Sequence, residues 1–143
     1  MQYVFEWIDD NPHVAFFGNV DYALINEATE RIYGDQRLDN MNYLICNLEN
    51  VESLSLDPVE MKIISVLDRY IYPYNQHLKI AGVVKDQKIR EMILKYMEDM
   101  KDLNWKIKIF SSFNDALAWC QEWNLNLYMY MDSSFYHGNG SEV

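Results

Sequence analysis

Two runs of the chain carry almost no polar side chain: Tyr43-Leu44-Ile45-Cys46 and Ile80-Ala81-Gly82-Val83-Val84. Strands this apolar need cover on both faces, which is the condition of inner strands in a mostly parallel sheet flanked by helices. The segment between them fits that demand. Asp57-Pro58-Val59-Glu60 opens a helix by three independent signals: a capping carboxylate, Pro at the first helical position and Glu at the third. Val59, Ile63, Val66, Leu67, Tyr70 and Ile71 recur at helical spacing and are expected to form its buried stripe. Asn47–Leu56 reads as a loop leading into this helix, and Pro73 ends it.

The flanking segments continue the alternation. Residues 2–8 (QYVFEWI) suit a strand, and Asp9-Asp10-Asn11-Pro12 is turn chemistry. Val14-Ala15-Phe16-Phe17 follows as a second strand, ended by Gly18-Asn19, so the chain is expected to begin with a hairpin. A helix over 21–33 aligns Leu24, Ile25, Ala28 and Ile32, with Gly34 as a left-handed C-cap. A third helix places Ile89, Met92, Ile93, Tyr96, Met97 and Met100 on one face. Lys106–Phe110 alternates like a strand near an edge, and Ser112 with Asp115 opens a last helix through Trp119 towards Trp123. The expected class is therefore α/β: a mixed, mostly parallel sheet with an N-terminal antiparallel hairpin and four helices, in the order β-β-α-β-α-β-α-β-α. One domain is expected over 1–123. Residues 124–143 form a C-terminal extension, with a strand-like NLNLYMYM at 124–131 that could join a second copy in a homodimer, then a frayed tail.

With 143 residues, half of them hydrophobic, the chain can bury a core without metals or crosslinks. Its net charge of -10, with scattered Lys and Arg, argues against nucleic acid and anionic membranes; it would attract a basic protein surface, or it simply keeps the chain soluble. No stretch has the length or apolarity of a membrane span, and the opening MQYVFEWIDD lacks a basic start, so a cytoplasmic location is expected. Cys46 and Cys120 sit in apolar contexts and are expected to be buried thiols. His13, His77 and His137 have no metal-ligand spacing, no phosphate loop or nucleophile elbow occurs, and no catalytic residue, metal or cofactor is expected. Lys85 and Lys88 at the start of the third helix are candidates for holding a small anion, or simply members of a solvated loop.

The chain resembles the STAS (anti-sigma-factor-antagonist-like) family in three places: Tyr43–Leu56 with the capped helix that follows, Lys79–Val84 (KIAGVV), and Phe110-Ser-Ser-Phe-Asn-Asp-Ala-Leu-Ala-Trp119. The resemblance implies a non-enzymatic regulatory module of the SpoIIAA-like kind that binds another protein. It places the contact surface on the loop before the second helix and on that helix's start: Glu52, Ser53, Ser55, Asp57 and Glu60. In partner-switching members this loop carries a phosphorylated hydroxyl followed by Gly. The matching positions here are Asp57 and Pro58, a departure that argues against the phosphoswitch. Asp57 is then either an N-cap or a fixed negative charge where the family places a phosphate, and Ser53 and Ser55 remain the nearby hydroxyls. The kinship of these modules with lipid-binding Sec14-like domains gives an alternative function, binding of a small apolar or lipid-like ligand in a cavity lined by Ile64, Leu67, Met92 and Tyr96.

Overall fold

The computed structural model describes residues 2–122. Five strands, β1 (Tyr3–Ile8), β2 (Asn11–Asp21), β3 (Tyr43–Ser55), β4 (Lys79–Val83) and β5 (Lys106–Phe110), form one sheet in sequence order. β1 and β2 are antiparallel, and all other neighbours are parallel. The helices α1 (Tyr22–Tyr33), α2 (Pro58–Ile71) and α3 (Gln87–Met100) make the crossovers. A last helix, α4, occupies residues 113–122. The α/β class and the element order expected from the sequence are those observed. The strand expected at 124–131 and the tail expected beyond it lie outside the described residues.

Each crossover advances one strand in the same direction, which puts all three helices on one face of the sheet. Alternation along the strands shows it. Val14, Phe16, Leu44, Cys46, Ile80 and Gly82 face α1–α3, while Tyr43, Ile45, Ala81 and Val83 face Ala116 and Cys120 of α4. β3 is the central strand, as its uninterrupted apolar start demands, and β5 is an edge. α4 covers the β3–β4 half of its face and leaves Val4, Ile8 and Phe17 exposed.

The turn between β1 and β2 consists of Asp9 and Asp10 alone, at φ 50° and 65°. Two consecutive left-handed residues match the twist of a hairpin, and Asp tolerates that region better than most residues but less well than Gly. Asp10→Gly is expected to stabilise the chain by about 0.5 kcal/mol, read as a rise in the urea midpoint. A fall would mean that the Asp10 carboxylate contributes more than its backbone strain removes.

Four expectations change. β2 does not stop at Gly18-Asn19 but runs on to Asp21, with Gly18 at φ 67° inside the strand. Asn47–Leu56 is not a loop, because β3 continues to Ser55 along β2. The register slips twice along this pairing, and each slip adds a residue to β3. The inward residues Leu48, Val51 and Leu54 therefore fall three apart, a spacing that hides a strand. Gly34 closes α1 at φ -87°, outside the left-handed region, with its N–H donating to the Glu30 carbonyl and the Asp35 N–H to the Ile32 carbonyl. The largest change concerns α2. All of its expected buried stripe but Ile71 is its outer surface: Val59 is 67% exposed, Val66 51% and Tyr70 76%, with Ile63 and Leu67 also exposed. The face turned to the sheet is Met61, Ile64, Ser65, Asp68 and Ile71, of which Ser65 and Asp68 are the most deeply buried. The helix is apolar on two sides, and a periodicity reading picks the one with more large side chains.

Candidate functional site

The start of α2 is fixed as its sequence dictates. The Asp57 carboxylate accepts the Glu60 N–H at 2.8 Å, and Glu60 Oε1 accepts the Asp57 N–H at 3.0 Å. This reciprocal pair closes a capping box. Pro58 at the first helical position loses no hydrogen bond there. Asp57 thus serves as the N-cap. Glu52, Ser53 and Ser55 are exposed on the last residues of β3, and the Ser53 hydroxyl donates to Asn19 Oδ1 at 2.7 Å. These residues, Asp57 and the half-buried Glu60 fall within one stretch running from the end of β3 into α2. From it the exposed apolar stripe of α2 continues: Val59, Ile63, Val66, Leu67 and Tyr70. Pro58, Val59, Lys62, Ile63, Val66 and Leu67 outline a shallow apolar groove. Lys62 is the only charged residue in it.

The inner side of the same helix borders a cavity of about 190 Å³ between the sheet and α1–α3. Ile64, Met92 and Tyr96 line it, together with Phe16, Ile25, Leu44, Cys46 and Ile93. Leu67 points to the other side of α2 and is exposed, so it does not belong to this lining. The cavity has one acidic wall residue, Asp68, which is only 7% exposed. The Tyr33 hydroxyl of α1 donates to Asp68 Oδ1 at 2.5 Å, and the Tyr96 hydroxyl of α3 donates to Oδ2. Burial pushes the Asp68 carboxyl above its usual range, and the two phenol donors pull partly the other way. Burial also raises both tyrosines, with Asp68 adding to the effect, and it pushes the Cys46 thiol up to about 12. Cys46 is only partly covered because the rest of its surface faces this cavity.

The sign of the Asp68 shift has a measurable consequence. A carboxyl whose folded pKa lies above the unfolded value contributes stability that is complete below about pH 4 and is lost as pH rises through the folded pKa. Asp68→Asn removes this group's titration and turns one acceptor oxygen into an amide donor, a change that does not itself depend on pH. The difference in unfolding free energy between the native chain and Asp68→Asn is expected to fall steadily from pH 4 upward and then level off. A flat difference across pH 4–8 in urea titrations would contradict the raised pKa.

Elsewhere the groups are engaged structurally. Lys85 pairs with Glu49 at 3.6 Å, and Lys88 is exposed. The first turn of α3 is capped by Asp86, whose carboxylate accepts the Ile89 N–H at 3.0 Å. His13 Nε2 lies 3.0 Å from the Tyr43 hydroxyl, and burial lowers its pKa. Lys79, which the sequence reading left unremarked, is 4% exposed. Its ammonium donates to the Trp119 carbonyl at 2.6 Å and sits 4.4 Å from the indole, pinning the end of α4 to β4. Among the described residues, no three His, Cys, Asp or Glu side chains gather as a metal site, and no helix is long and apolar enough to cross a membrane.

No family model and no curated protein matches the sequence. Solved structures share its fold. The anti-sigma factor antagonist SpoIIAA in its unphosphorylated form superposes with a TM-score of 0.58 at 10% identity, over 83% of this chain and 97% of that one. An uncharacterized protein with a SpoIIAA-like fold from Shewanella loihica gives 0.52 at 14% identity, over 82% and 91%. An anti-sigma factor antagonist from Mycobacterium paratuberculosis gives 0.50 at 20% identity, over 83% and 92%. At these identities the likeness is one of architecture: the chain has the SpoIIAA-like, STAS-type fold.

Proposed function

We propose that this SpoIIAA-like domain is a non-enzymatic regulatory module that docks a protein partner on the outer face of α2 and the adjoining end of β3. The observation that carries this reading is the apolar stripe Val59–Ile63–Val66–Leu67–Tyr70, left open to solvent along about three turns of a well-capped helix. Clustered apolar exposure of this kind marks interaction surfaces, whereas scattered exposed residues do not. The net charge of -10, with Asp57 capping the helix that carries the patch and Glu52 exposed on β3, favours a partner whose rim is basic. Two of the solved structures with this fold are anti-sigma factor antagonists, so an anti-sigma-factor-like regulator is the partner class that fits. Asp57, which the resemblance aligns with the family's phosphoacceptor, carries no hydroxyl and is engaged as a cap, which supports a partner interface that does not switch through phosphate at that residue.

A photocrosslinker placed at Val66 is expected to trap a discrete protein in extracts of the source cells. The same group at Glu91, exposed on α3, is expected not to. The trapped protein should bind the purified chain with an association rate that falls as salt is raised. Equal trapping from both positions, or a salt-independent rate, goes against this reading.

A further inference from the structure

The cavity behind α2 holds a carboxylate with no counter-charge. Among the described residues no Lys, Arg or His forms an ion pair with Asp68, and its only side-chain partners are the Tyr33 and Tyr96 hydroxyls. Each phenol uses one lone pair of one carboxylate oxygen, which leaves acceptor capacity on both oxygens. The rest of the wall is almost wholly apolar and includes the rings of Phe16, Tyr33 and Tyr96. Isolated charge in such surroundings is unfavourable unless it is neutralised or paired.

We infer that this cavity is a binding site for a small organic cation, an apolar body carrying one ammonium group that pairs with Asp68. The body would contact Ile64, Met92 and Ile93, and the ammonium would meet the carboxylate beside two aromatic rings that favour a cation. Volume sets the size. A cavity of about 150 Å³ accepts benzene, so about 190 Å³ suits a six-membered ring bearing a short amino arm. A carboxylate-bearing ligand of the same size would be repelled, and a neutral one would leave Asp68 unpaired. The site goes beyond the docking reading and does not depend on it.

The test uses three probes of nearly equal shape: 2-phenylethylammonium, ethylbenzene and phenylacetate. Binding is followed by methyl NMR of Ile64, Ile93 and Met92 in the full chain. The ammonium probe is expected to shift these methyls and to bind at least tenfold more tightly than ethylbenzene, with phenylacetate weakest. Asp68→Asn should erase or sharply reduce that preference. Ile64→Trp should block all three probes by filling the space while keeping Asp68. Methyls that respond to none of the probes at millimolar concentration would overturn the proposal. So would an ammonium preference that is absent, or that survives Asp68→Asn.

Discussion

Val66→Asp is expected to weaken partner binding about 100-fold or more, roughly 2.7 kcal/mol, while the urea midpoint of the free chain barely moves. Val66 lies at the middle of the α2 stripe and is half exposed, so the substitution buries no charge in the unbound protein. Surface changes of that kind ordinarily alter stability by less than about 0.5 kcal/mol. In a complex the same carboxylate would be desolvated against apolar groups without a partner. Tyr70→Ala, one turn further on, should lose about 1–3 kcal/mol of affinity, since a large amphipathic side chain is a typical anchor. Because the two side chains are neighbours on one face, the double variant should lose less than the sum. Glu52→Lys is a milder probe that should act mainly on the association rate. Glu60 is a poor one, because its carboxylate closes the capping box and its loss also frays the helix. Affinity is read by fluorescence titration with the purified partner. Binding of Val66→Asp at native strength would remove α2 from the interface.

The largest expected loss of stability comes from a residue that no motif announces. Asn75 is 6% exposed and stands just after a short 3-10 turn, Tyr72–Tyr74. Its amide Nδ2 donates to the Leu38 and Met41 carbonyls at 2.9 and 2.8 Å, and its Oδ1 accepts the His77 N–H at 3.2 Å. Its backbone carbonyl takes the Trp105 indole N–H at 2.7 Å. One side chain therefore ties the segment before β3 to the segment before β4. Asn75→Ala takes the amide donor from the buried Met41 carbonyl, leaves the Leu38 carbonyl with only the Met41 N–H at 3.4 Å, and removes the acceptor of the part-buried His77 N–H. At about 1–3 kcal/mol for each group left unsatisfied, and with some relief from relaxation, a loss of about 3–5 kcal/mol is expected. That is a large part of a typical domain's stability. Urea unfolding checks it; a loss under about 1 kcal/mol would mean that water replaces the amide.

The legible parts of this fold are those whose signal is local. Asp57-Pro58-Val59-Glu60 carries its helix start in adjacent residues, and the period of Ile89, Met92, Ile93, Tyr96 and Met100 matches the face α3 buries. The runs at Tyr43–Cys46 and Ile80–Val83 could only be inner strands. The second half of β3 was illegible because its polar Asn47, Glu49, Asn50 and Glu52 read as a loop and its inward residues fall three apart. Only pairing with β2 makes it a strand. On α2 the sequence offers two apolar arcs. The choice between them is made by Ser65, small enough for close packing, and by Asp68, which finds donors on α1 and α3. Tyr33, Asp68 and Tyr96 come from three separate helices, so no spacing in the sequence could have joined them. A polar residue at an inward position of an otherwise apolar arc was the only available hint.

That arrangement makes α2 a shared wall, with Asp68 on one side and Val66 on the other, two residues apart in the chain. An occupant of the cavity that displaces or stiffens the helix changes the surface a partner meets, and the partner acts back through the same helix. Such coupling is reciprocal by thermodynamic necessity: if the small cation alters partner affinity by some factor, the partner alters cation affinity by that same factor. The domain would then respond to a metabolite with no phosphate and no covalent mark, its state set by the occupancy of a space barely larger than a benzene ring.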